Sequence, residues 1–329
     1  MVVLLSVSLF VSAGAYSAEQ SSGQTNKKSF FDFLNPSHDY WSEKLVRYAG
    51  RFDRFFGDKR YFDEANVSVV QFDLNEVVKE GDSYDTTFTG RAKLSLPMIE
   101  KHLHLVLEGD PEKIATGETD DAGLVIPGNI AAPESFGATV RYQEAAENIW
   151  LYSIDAGIKL KSRLEPYTRV RGSVSIPMGK WRFKPEETLF WFKTIGAGET
   201  TRFDLEHIFN ESVLFRSSSK ATWLNDENRF ILRQDLSVYH TVDDRAAMVY
   251  QLSAIGTSQP QEQVDEYVAL VRYRYRLHRD WLFVELSPQM HHPIEQDYHP
   301  EAQVVLLLEM LFGGAAWIRE EPDIQGIAD

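Results

Sequence analysis

The stretch "MHHPIEQDYHP" at residues 290–300 holds residue types that can do chemistry, namely His291, His292, Asp297 and His299. Imidazole nitrogens and carboxylates bind zinc, and a histidine beside an acid can act as a general base. Two prolines break any regular ligand spacing, which favours a solvated loop. The sequence therefore offers these four residues only as a candidate rim site. It predicts no catalytic residue, no metal site and no cofactor.

A second pattern is positive charge that alternates with large apolar groups. In "VRYRYRLHRDWLFVEL" at 271–286, arginine and tyrosine alternate, and the same period of two recurs along the chain. Residues two apart in a strand share one face of a sheet. The charged residues predicted to share one side are Arg91, Lys93, Asp155, Lys159, Arg169, Arg171, Arg202, Asp204, Glu206, Arg216, Arg233, Asp235, Arg272, Arg274, Arg276, Glu285 and Glu309.

Such a lining has two interpretations. An arginine-rich wall attracts anions, because rings of charge set the selectivity of a pore. Acids and bases at this density also pair with each other, because unpaired buried charge is costly, and pairing would leave a largely closed interior.

The elements that would position these residues are strands. From about residue 66 the apolar residues recur at period two, and many of the segments are near ten residues long, the length of a tilted strand that crosses a bilayer. No helical pattern separates them, so hairpins must connect antiparallel strands. The predicted strands are 66–76, 86–96, 101–108, 137–145, 149–161, 165–175, 180–193, 197–208, 211–224, 229–240, 246–256, 265–276, 281–290 and 301–312.

The sequence thus predicts an all-β fold: a closed antiparallel transmembrane β-barrel of 12–14 strands over residues 65–312. Short connections at 97–100, 146–148, 209–211, 241–245 and 277–280 alternate with longer ones at 109–136, 257–264 and 291–300, although two of the alternate connections, 162–164 and 225–228, are also short. Bacterial barrels have short periplasmic turns and longer outer loops, so the first set is expected to face the periplasm.

The two termini carry further signals. Residues 1–18 are apolar and contain Ala13-Gly14-Ala15, the form of a signal-peptidase site, so we expect a secretory signal peptide. Residues 19–64 are interpreted as a periplasmic linker that contains an amphipathic helix at 37–56. Its aromatic stripe must dock on something, either a barrel mouth or a membrane face. Residues 313–329 form a C-terminal tail.

Composition excludes several classes of protein. The net charge of −15 argues against nucleic-acid binding, which calls for a basic stripe. The chain has no cysteine, which removes disulfides, thiolate metal ligands and cysteine nucleophiles.

Three segments resemble a family of uncharacterised outer-membrane β-barrel proteins of Gram-negative bacteria. They are "RFFGDKRYFDEANVSVVQF" at 54–72, "RAKLSLPMIEKHLHLVLEGDPE" at 91–112 and "YRYRLHRDWLFVELSPQMHHPIEQDYHPEAQVVLLLEMLFG" at 273–313. The resemblance implies a barrel in the outer membrane but no activity and no catalytic residues. The end of the third segment is similar to the assembly signal of such barrels, although residues 313–329 follow its aromatic Phe312. That likeness implies the barrel-assembly machinery and outer-membrane lipid as partners.

Three hypotheses about function follow. The first is an outer-membrane barrel that acts as a narrow anion-preferring pore or as a structural barrel with a salt-bridged lumen. The second is a barrel enzyme that acts on lipid or peptide at the outer rim, through the four rim residues. The third is a soluble periplasmic β-sandwich that serves as a binding module.

Overall fold

The computed structural model describes residues 49–53, 55–56, 62, 68–81, 83–96, 102–116, 133–146, 150–277 and 281–313. All of them lie within residues 37–329, the second of the two units into which the chain divides. The predicted signal peptide at 1–18, residues 19–48 of the predicted linker and helix, and residues 314–329 of the tail lie outside the described residues.

Fifteen strand segments account for most of the described chain. They are β1 (Val69–Lys79), β2 (Ser83–Ser95), β3 (Leu103–Gly109), β4 (Phe136–Ala146), β5 (Trp150–Leu160), β6 (Leu164–Val174), β7 (Ile176–Met178), β8 (Trp181–Phe192), β9 (Gly196–Asn210), β10 (Val213–Leu224), β11 (Arg229–Thr241), β12 (Ala246–Thr257), β13 (Gln263–Arg276), β14 (Leu282–Pro293) and β15 (Glu301–Gly313). Helix α1 (Pro111–Thr116) follows β3, a 3-10 turn (Ile294–Gln296) follows β14, and residues 49–53 are helical. Among the described residues, no helix has the length and apolar character needed to cross a membrane.

The segments form one closed antiparallel sheet. Its order runs from β6 through β1 to β15 and on to β7, and β6 also pairs with β8. β6 and β7 pair with β8 in one register, from Tyr167↔Phe192 to Met178↔Trp181, so they are two parts of the same strand. The interruption lies opposite Pro185, which has no N–H to donate to the ladder. The result is a 14-stranded antiparallel β-barrel.

Burial in this barrel is the reverse of that in a water-soluble protein. In β5, Ile154 and Ile158 are exposed on the outer face, whereas Asp155 and Lys159 are buried inside. The other strands repeat the pattern, although charged side chains are among the least often buried in soluble proteins. The alternation that predicted the strands therefore also assigns the apolar side chains to the outside of the barrel.

The connections separate the barrel into two distinct ends. The terminal end carries the start of β1 and the end of β15, together with short turns such as 211–212 and 242–245. The loop end carries residues 110–116 and 133–135 of the connection after β3, together with residues 258–262 and 294–300. The short connections predicted to face the periplasm thus lie at one end and the three predicted long ones at the other, where the short turns 161–163 and 225–228 also lie.

The fold prediction is confirmed: every predicted strand interval overlaps a strand of the barrel, and the helical residues 49–53 lie within the predicted helix. Closure of the sheet excludes the alternative of a two-layered sandwich. Several boundaries differ by two or three residues. For example, β1 runs from Val69 to Lys79 instead of 66–76, β14 ends at Pro293 instead of 290, and the strand predicted at 165–175 continues as β7.

A glycine inside the barrel near α1 leaves room for the ring of a tyrosine that packs over it. A Cβ at Gly157 would lie 2.6 Å from Cζ of Tyr167 and 2.7 Å from Oγ1 of Thr139, two atoms of one buried contact. The hydroxyl groups of Tyr167 and Thr139 are hydrogen-bonded to each other. Tyr167 in turn packs against Ala115 of α1. The absence of a side chain at Gly157 therefore allows the ring of Tyr167 to support the helix.

We expect Gly157→Ala to lower the free energy of unfolding by about 1–3 kcal/mol, because the added methyl group overpacks a filled site. Gly172→Ala is the matched control, since a Cβ at Gly172 would meet nothing within 4 Å. Denaturant unfolding of both variants in detergent micelles, followed by tryptophan fluorescence, measures the difference. Equal stabilities would contradict this account of Tyr167.

Candidate functional site

The inner surface of the barrel carries the predicted charged set. In each strand the predicted residues lie an even number of positions from the buried residues, so their side chains are on the same, inward-facing side of the sheet. The fully buried members are Lys93, Asp155, Lys159, Arg169, Arg202, Asp204, Glu206, Arg216, Arg233, Arg272, Arg274, Glu285 and Glu309. The half-buried members are Arg91, Arg171, Asp235 and Arg276. The interior, which we call the lumen, is the candidate functional site.

One group of lumen charges is centred on Asp155 of β5. Nε and Nη2 of Arg141 donate hydrogen bonds to its two oxygens at 2.8 and 2.9 Å. Nε of Arg169 donates to Oδ2 of Asp155 at 2.8 Å, and Nη2 of Arg169 reaches Oε1 of Glu108 at 3.0 Å. Two guanidinium groups therefore share one carboxylate, which fixes the side chains of β3 to β6 against one wall.

A second group links β13, β14, β15 and β1. Nη2 of Arg274 donates to Oε1 of Glu309 at 2.5 Å, and Nη1 of Arg274 lies 3.6 Å from Oε2 of Glu285. Nε2 of Gln71 donates to both Asp73 and Glu309 at 3.0 Å, so the amide joins two carboxylates that face each other across the β1–β15 pair. This network lines the seam between the first and last strands.

Arg272 belongs to the same wall but is less fully paired. Its Nη1 lies 3.7 Å from Oε1 of Glu285, longer than a hydrogen bond. Its Nε and Nη2 have no hydrogen-bond partner among the described residues, although the side chain is buried. Arg272 is therefore an inward-facing side chain with hydrogen-bond donors that have no partner among the described residues.

Residues 49–53 and 55–56, which we call the plug, lie inside the terminal end of the barrel. Ala49, Phe52 and Phe56 are buried in one apolar cluster with inward-facing residues of β9 to β12. The barrel residues of this cluster are Ile208, Leu214, Tyr239, Ala247 and Val249. The aromatic stripe predicted for helix 37–56 thus contacts the barrel interior in its described part.

Aromatic contacts hold the plug in place. The ring of Tyr239 lies 5.7 Å from the rings of both Phe52 and Phe56, measured between centroids. Phe55 contacts Phe283 of β14 edge to face at 5.9 Å, and the guanidinium of Arg272 lies 5.4 Å from the ring of Phe56. Such aromatic and cation–π contacts add specific geometry to the burial of apolar area.

An ion-pair chain also anchors the plug. Nη2 of Arg216 donates to Oδ1 of Asp53 at 2.5 Å, and Nε of Arg216 donates to Oε1 of Glu206 at 2.8 Å. Arg182 of β8 binds the other oxygen of Glu206 at 2.6 Å. Because Arg216 and Glu206 are fully buried, the plug carboxylate completes a chain of alternating charges that begins on the barrel wall.

Helix α1 fills part of the lumen near the loop end. Its last turn has unpaired backbone carbonyls, as every helix end does, and two threonines of the wall satisfy them. Oγ1 of Thr200 donates to the carbonyl of Ala115 at 2.9 Å, and Oγ1 of Thr222 donates to that of Thr116 at 2.8 Å. Nζ of Lys159 binds Oε2 of Glu112 at 2.7 Å. The helix is therefore fastened to the inner wall.

The four rim residues do not share one face of β14, although Nδ1 of His292 lies 3.0 Å from the backbone oxygen of Tyr298, between Asp297 and His299. His291 and His292 are consecutive in β14 and point to opposite faces, because side chains alternate along a strand. His291 is buried in the lumen, where Nδ1 lies 2.8 Å from Glu266 and Nε2 lies 2.9 Å from Gln289. Nδ1 of His299 bonds the backbone oxygen of Gln296, and Asp297 is exposed in a left-handed turn. Within the described ranges, no three His, Cys, Asp or Glu side chains form a group that could hold a metal ion.

Sequence reasoning missed several lumen charges and one helix. The missed charges are Asp73, Glu108, Arg141, Arg182, Lys184 and Glu186. The signal that could have found them is the same period of two, since Arg141 alternates with Val140 and Tyr142. Residues 109–136 were expected to be a long connection, but their described part includes α1. Pro111 at its first position was the available helix signal.

Comparisons with known proteins give only distant similarities. No protein-family model matches the chain, and no curated protein matches it. The barrel is similar to the solved structure of OprB of Pseudomonas putida, with a TM-score of 0.49, 8% identity, and 75% of this chain and 93% of that chain covered. The outer membrane channel DcaP of Acinetobacter baumannii gives a TM-score of 0.42 and 10% identity, with 75% and 96% covered. KdgM porin in complex with disordered oligogalacturonate gives 0.36 and 6%, with 74% and 99% covered. No activity of these proteins is assigned to the chain from similarity this distant.

Proposed function

We propose that the protein is a Gram-negative outer-membrane β-barrel whose lumen forms a narrow, anion-preferring path that the plug keeps closed. The observation that carries the proposal is the reversed burial: apolar side chains cover the outside of a closed sheet, and charged side chains are gathered inside. Transmembrane barrels have this arrangement, because hydrocarbon surrounds the sheet and water or protein fills its interior. The barrel leaves no open sheet edge, which lipid does not tolerate.

Aromatic residues on the outer face support the same location. Trp181 and Trp191 are exposed near the two ends of β8, and Tyr273 and Trp281 are exposed near the terminal end. Tryptophan and tyrosine concentrate at both membrane–water interfaces. In this proposal the terminal end faces the periplasm, the signal peptide directs export, and outer-membrane lipid and the barrel-assembly machinery are the partners.

The preference for anions rests on the pairing of the lumen charges. Among the fully buried charged side chains that the structure describes, basic groups outnumber acidic ones. Arg272 adds two guanidinium nitrogens without a hydrogen-bond partner in the described part of the chain. Donors of this kind favour anions in a confined, low-dielectric passage.

Closure of the path rests on the two elements inside the barrel. The plug contacts β9 to β12 and β14 at the terminal end, and α1 is fastened to β5, β9 and β10 toward the loop end. The ion pairs described above join nearby strands of one wall, so the inserted elements are better placed than those pairs to obstruct the path. The rim-enzyme hypothesis has no such support, because His291 is buried on the lumen side of β14, opposite the face that carries His292.

The membrane location predicts that the protein pellets with outer membranes and needs detergent for extraction. Unheated protein should also migrate differently from boiled protein in electrophoresis, because a closed barrel resists unfolding by detergent at room temperature. Release into the soluble fraction after the envelopes are sedimented would contradict the proposal.

If the plug closes the path, removing its contacts with the barrel wall should give a larger pore. The double variant Asp53→Asn, Phe56→Ala loses the charge that pairs with Arg216 and the ring between Tyr239 and Arg272. We expect its single-channel conductance in planar bilayers to exceed that of the native protein several-fold. Phe209→Ala is the matched control, since Phe209 is exposed on the outer face near the same end. If the variant stays folded, judged by its electrophoretic shift, with unchanged conductance, the plug does not close the path.

The selectivity of the pore for anions is tested in the same double variant, in which the plug contacts are removed. Arg272→Gln should lower the chloride-to-potassium permeability ratio, measured from reversal potentials in a salt gradient, because it removes a weakly paired positive charge from the path. Lys161→Gln, in an exposed loop-end turn, is the control that should leave the ratio unchanged. An unchanged ratio in the Arg272 variant would show that this residue does not set selectivity.

A further inference from the structure

Arg272 of β13 differs from three other lumen arginines at the edge of its guanidinium group formed by Nε and Nη2. In Arg141 this edge donates to the two oxygens of Asp155, at 2.8 and 2.9 Å. In Arg169 and Arg216, each of these two nitrogens also donates to a carboxylate. In Arg272, neither nitrogen has a hydrogen-bond partner among the described residues. Arg272 therefore presents, unpaired, the edge with which other arginines of this wall bind carboxylates.

The unpaired edge of Arg272 is buried. The residue is 1% exposed and faces inward, so bulk water does not reach its donors. Oε1 of Glu285 lies 3.7 Å from Nη1, outside that edge, and Oε2 of Glu285 lies 3.6 Å from Nη1 of Arg274. A buried charged donor that lacks an acceptor is unfavourable. A second carboxylate at Nε and Nη2 would remove this cost in the bidentate geometry that arginine favours.

The plug covers Arg272 with an aromatic ring. The guanidinium of Arg272 lies 5.4 Å from the centroid of the Phe56 ring, which is a cation–π contact. The plug also has a carboxylate, that of Asp53, but this group binds Nη2 of Arg216 at 2.5 Å. The described part of the plug thus packs against Arg272 without supplying an acceptor to its Nε–Nη2 edge.

The wall that holds Phe56 offers an apolar surface next to Arg272. Phe56 is buried in one cluster with Leu214, Tyr239 and Val249 of the barrel. The rings of Phe56 and Tyr239 meet edge to face, with centroids 5.7 Å apart. Val249 is the cross-strand partner of Arg272 in the β12–β13 pair. A surface that accepts a ring and an arginine that can bind a carboxylate are therefore adjacent, which is typical of small-molecule sites.

We propose that this part of the wall binds a small aromatic carboxylate. Its ring takes the place of Phe56 against Tyr239, and its carboxylate accepts hydrogen bonds from Nε and Nη2 of Arg272. Ligand and plug use the same surface, so each excludes the other and binding displaces Phe56. The proposal rests on the proposed function, in which the plug closes an anion-preferring path, and it names the class of anion that opens that path.

An aromatic carboxylate fits this surface better than a simple anion or a neutral ring. A ligand shifts an equilibrium only through contacts that it makes in one of the two states. An inorganic anion would pair with Arg272 but would leave the apolar surface without a partner. A neutral ring would replace Phe56 without satisfying the two donors. The aromatic carboxylate makes both contacts, of which the plug makes only the first.

Equilibrium dialysis of radiolabelled phenylacetate against the protein in detergent tests the site. Phe56→Ala should raise the affinity for phenylacetate several-fold, because it removes the ring that competes with the ligand and so increases the population of accessible wall. Arg272→Gln should abolish saturable binding, both alone and combined with Phe56→Ala. Two matched controls should leave the affinity unchanged: Phe209→Ala, on the outer face, and Arg245→Gln, in an exposed turn at the terminal end. The electrophoretic shift shows that each variant remains folded.

Competition with unlabelled compounds tests the class of ligand. Acetate and 2-phenylethanol, which each carry one half of phenylacetate, should displace it much more weakly than phenylacetate itself. Equal displacement by either compound would overturn the proposal, as would saturable binding that survives in folded Arg272→Gln protein. No saturable binding to folded Phe56→Ala protein would also overturn it. These measurements do not depend on passage through the barrel. The membrane location and the closure by the plug fail separately, in the fractionation and conductance experiments described above.

Discussion

The constraint on which the structure depends is that a closed sheet with an apolar exterior must put its charged side chains inside. There each charge needs a partner, because an isolated buried charge is far more costly than a paired one. The groups around Asp155 and Glu309 meet this need within one wall. In the chain around Glu206, Asp53 of the plug adds a second carboxylate beside Arg216. The pairing of charges therefore also contributes to binding the plug, which is not part of the barrel wall.

The two inserted elements are held by different chemistry. The plug presents phenylalanine rings and one carboxylate to a surface of Tyr239, Arg216 and Arg272. Helix α1 is held through its backbone, because Thr200 and Thr222 bind the carbonyls of its last turn. The plug contacts thus depend on side chains of the inserted segment, whereas those of α1 depend largely on where its helix ends.

Much of the fold could be predicted from the sequence, because period two reports directly on which face of a strand each residue occupies. For this reason all the charged residues proposed for the lumen lie on the inward-facing side of their strands. Arg141 follows the same alternation and could have been predicted with them. The partners of the plug could not be predicted. Arg216 and Tyr239 meet Asp53 and Phe52 only through the register of the closed barrel, which no local pattern encodes. The rim histidines show the limit of closeness in sequence, since His291 and His292 are adjacent in β14 and their side chains point to opposite faces.

The position of the plug in the chain has a consequence for how the molecule is assembled. The plug precedes β1, yet its contacts are with β9 to β12 and β14, which are synthesised later. Those strands must come together before Phe52, Asp53 and Phe56 have anything to bind. The first part of the described chain to be made therefore reaches its native contacts only after β9 to β12 and β14 have been synthesised and have come together.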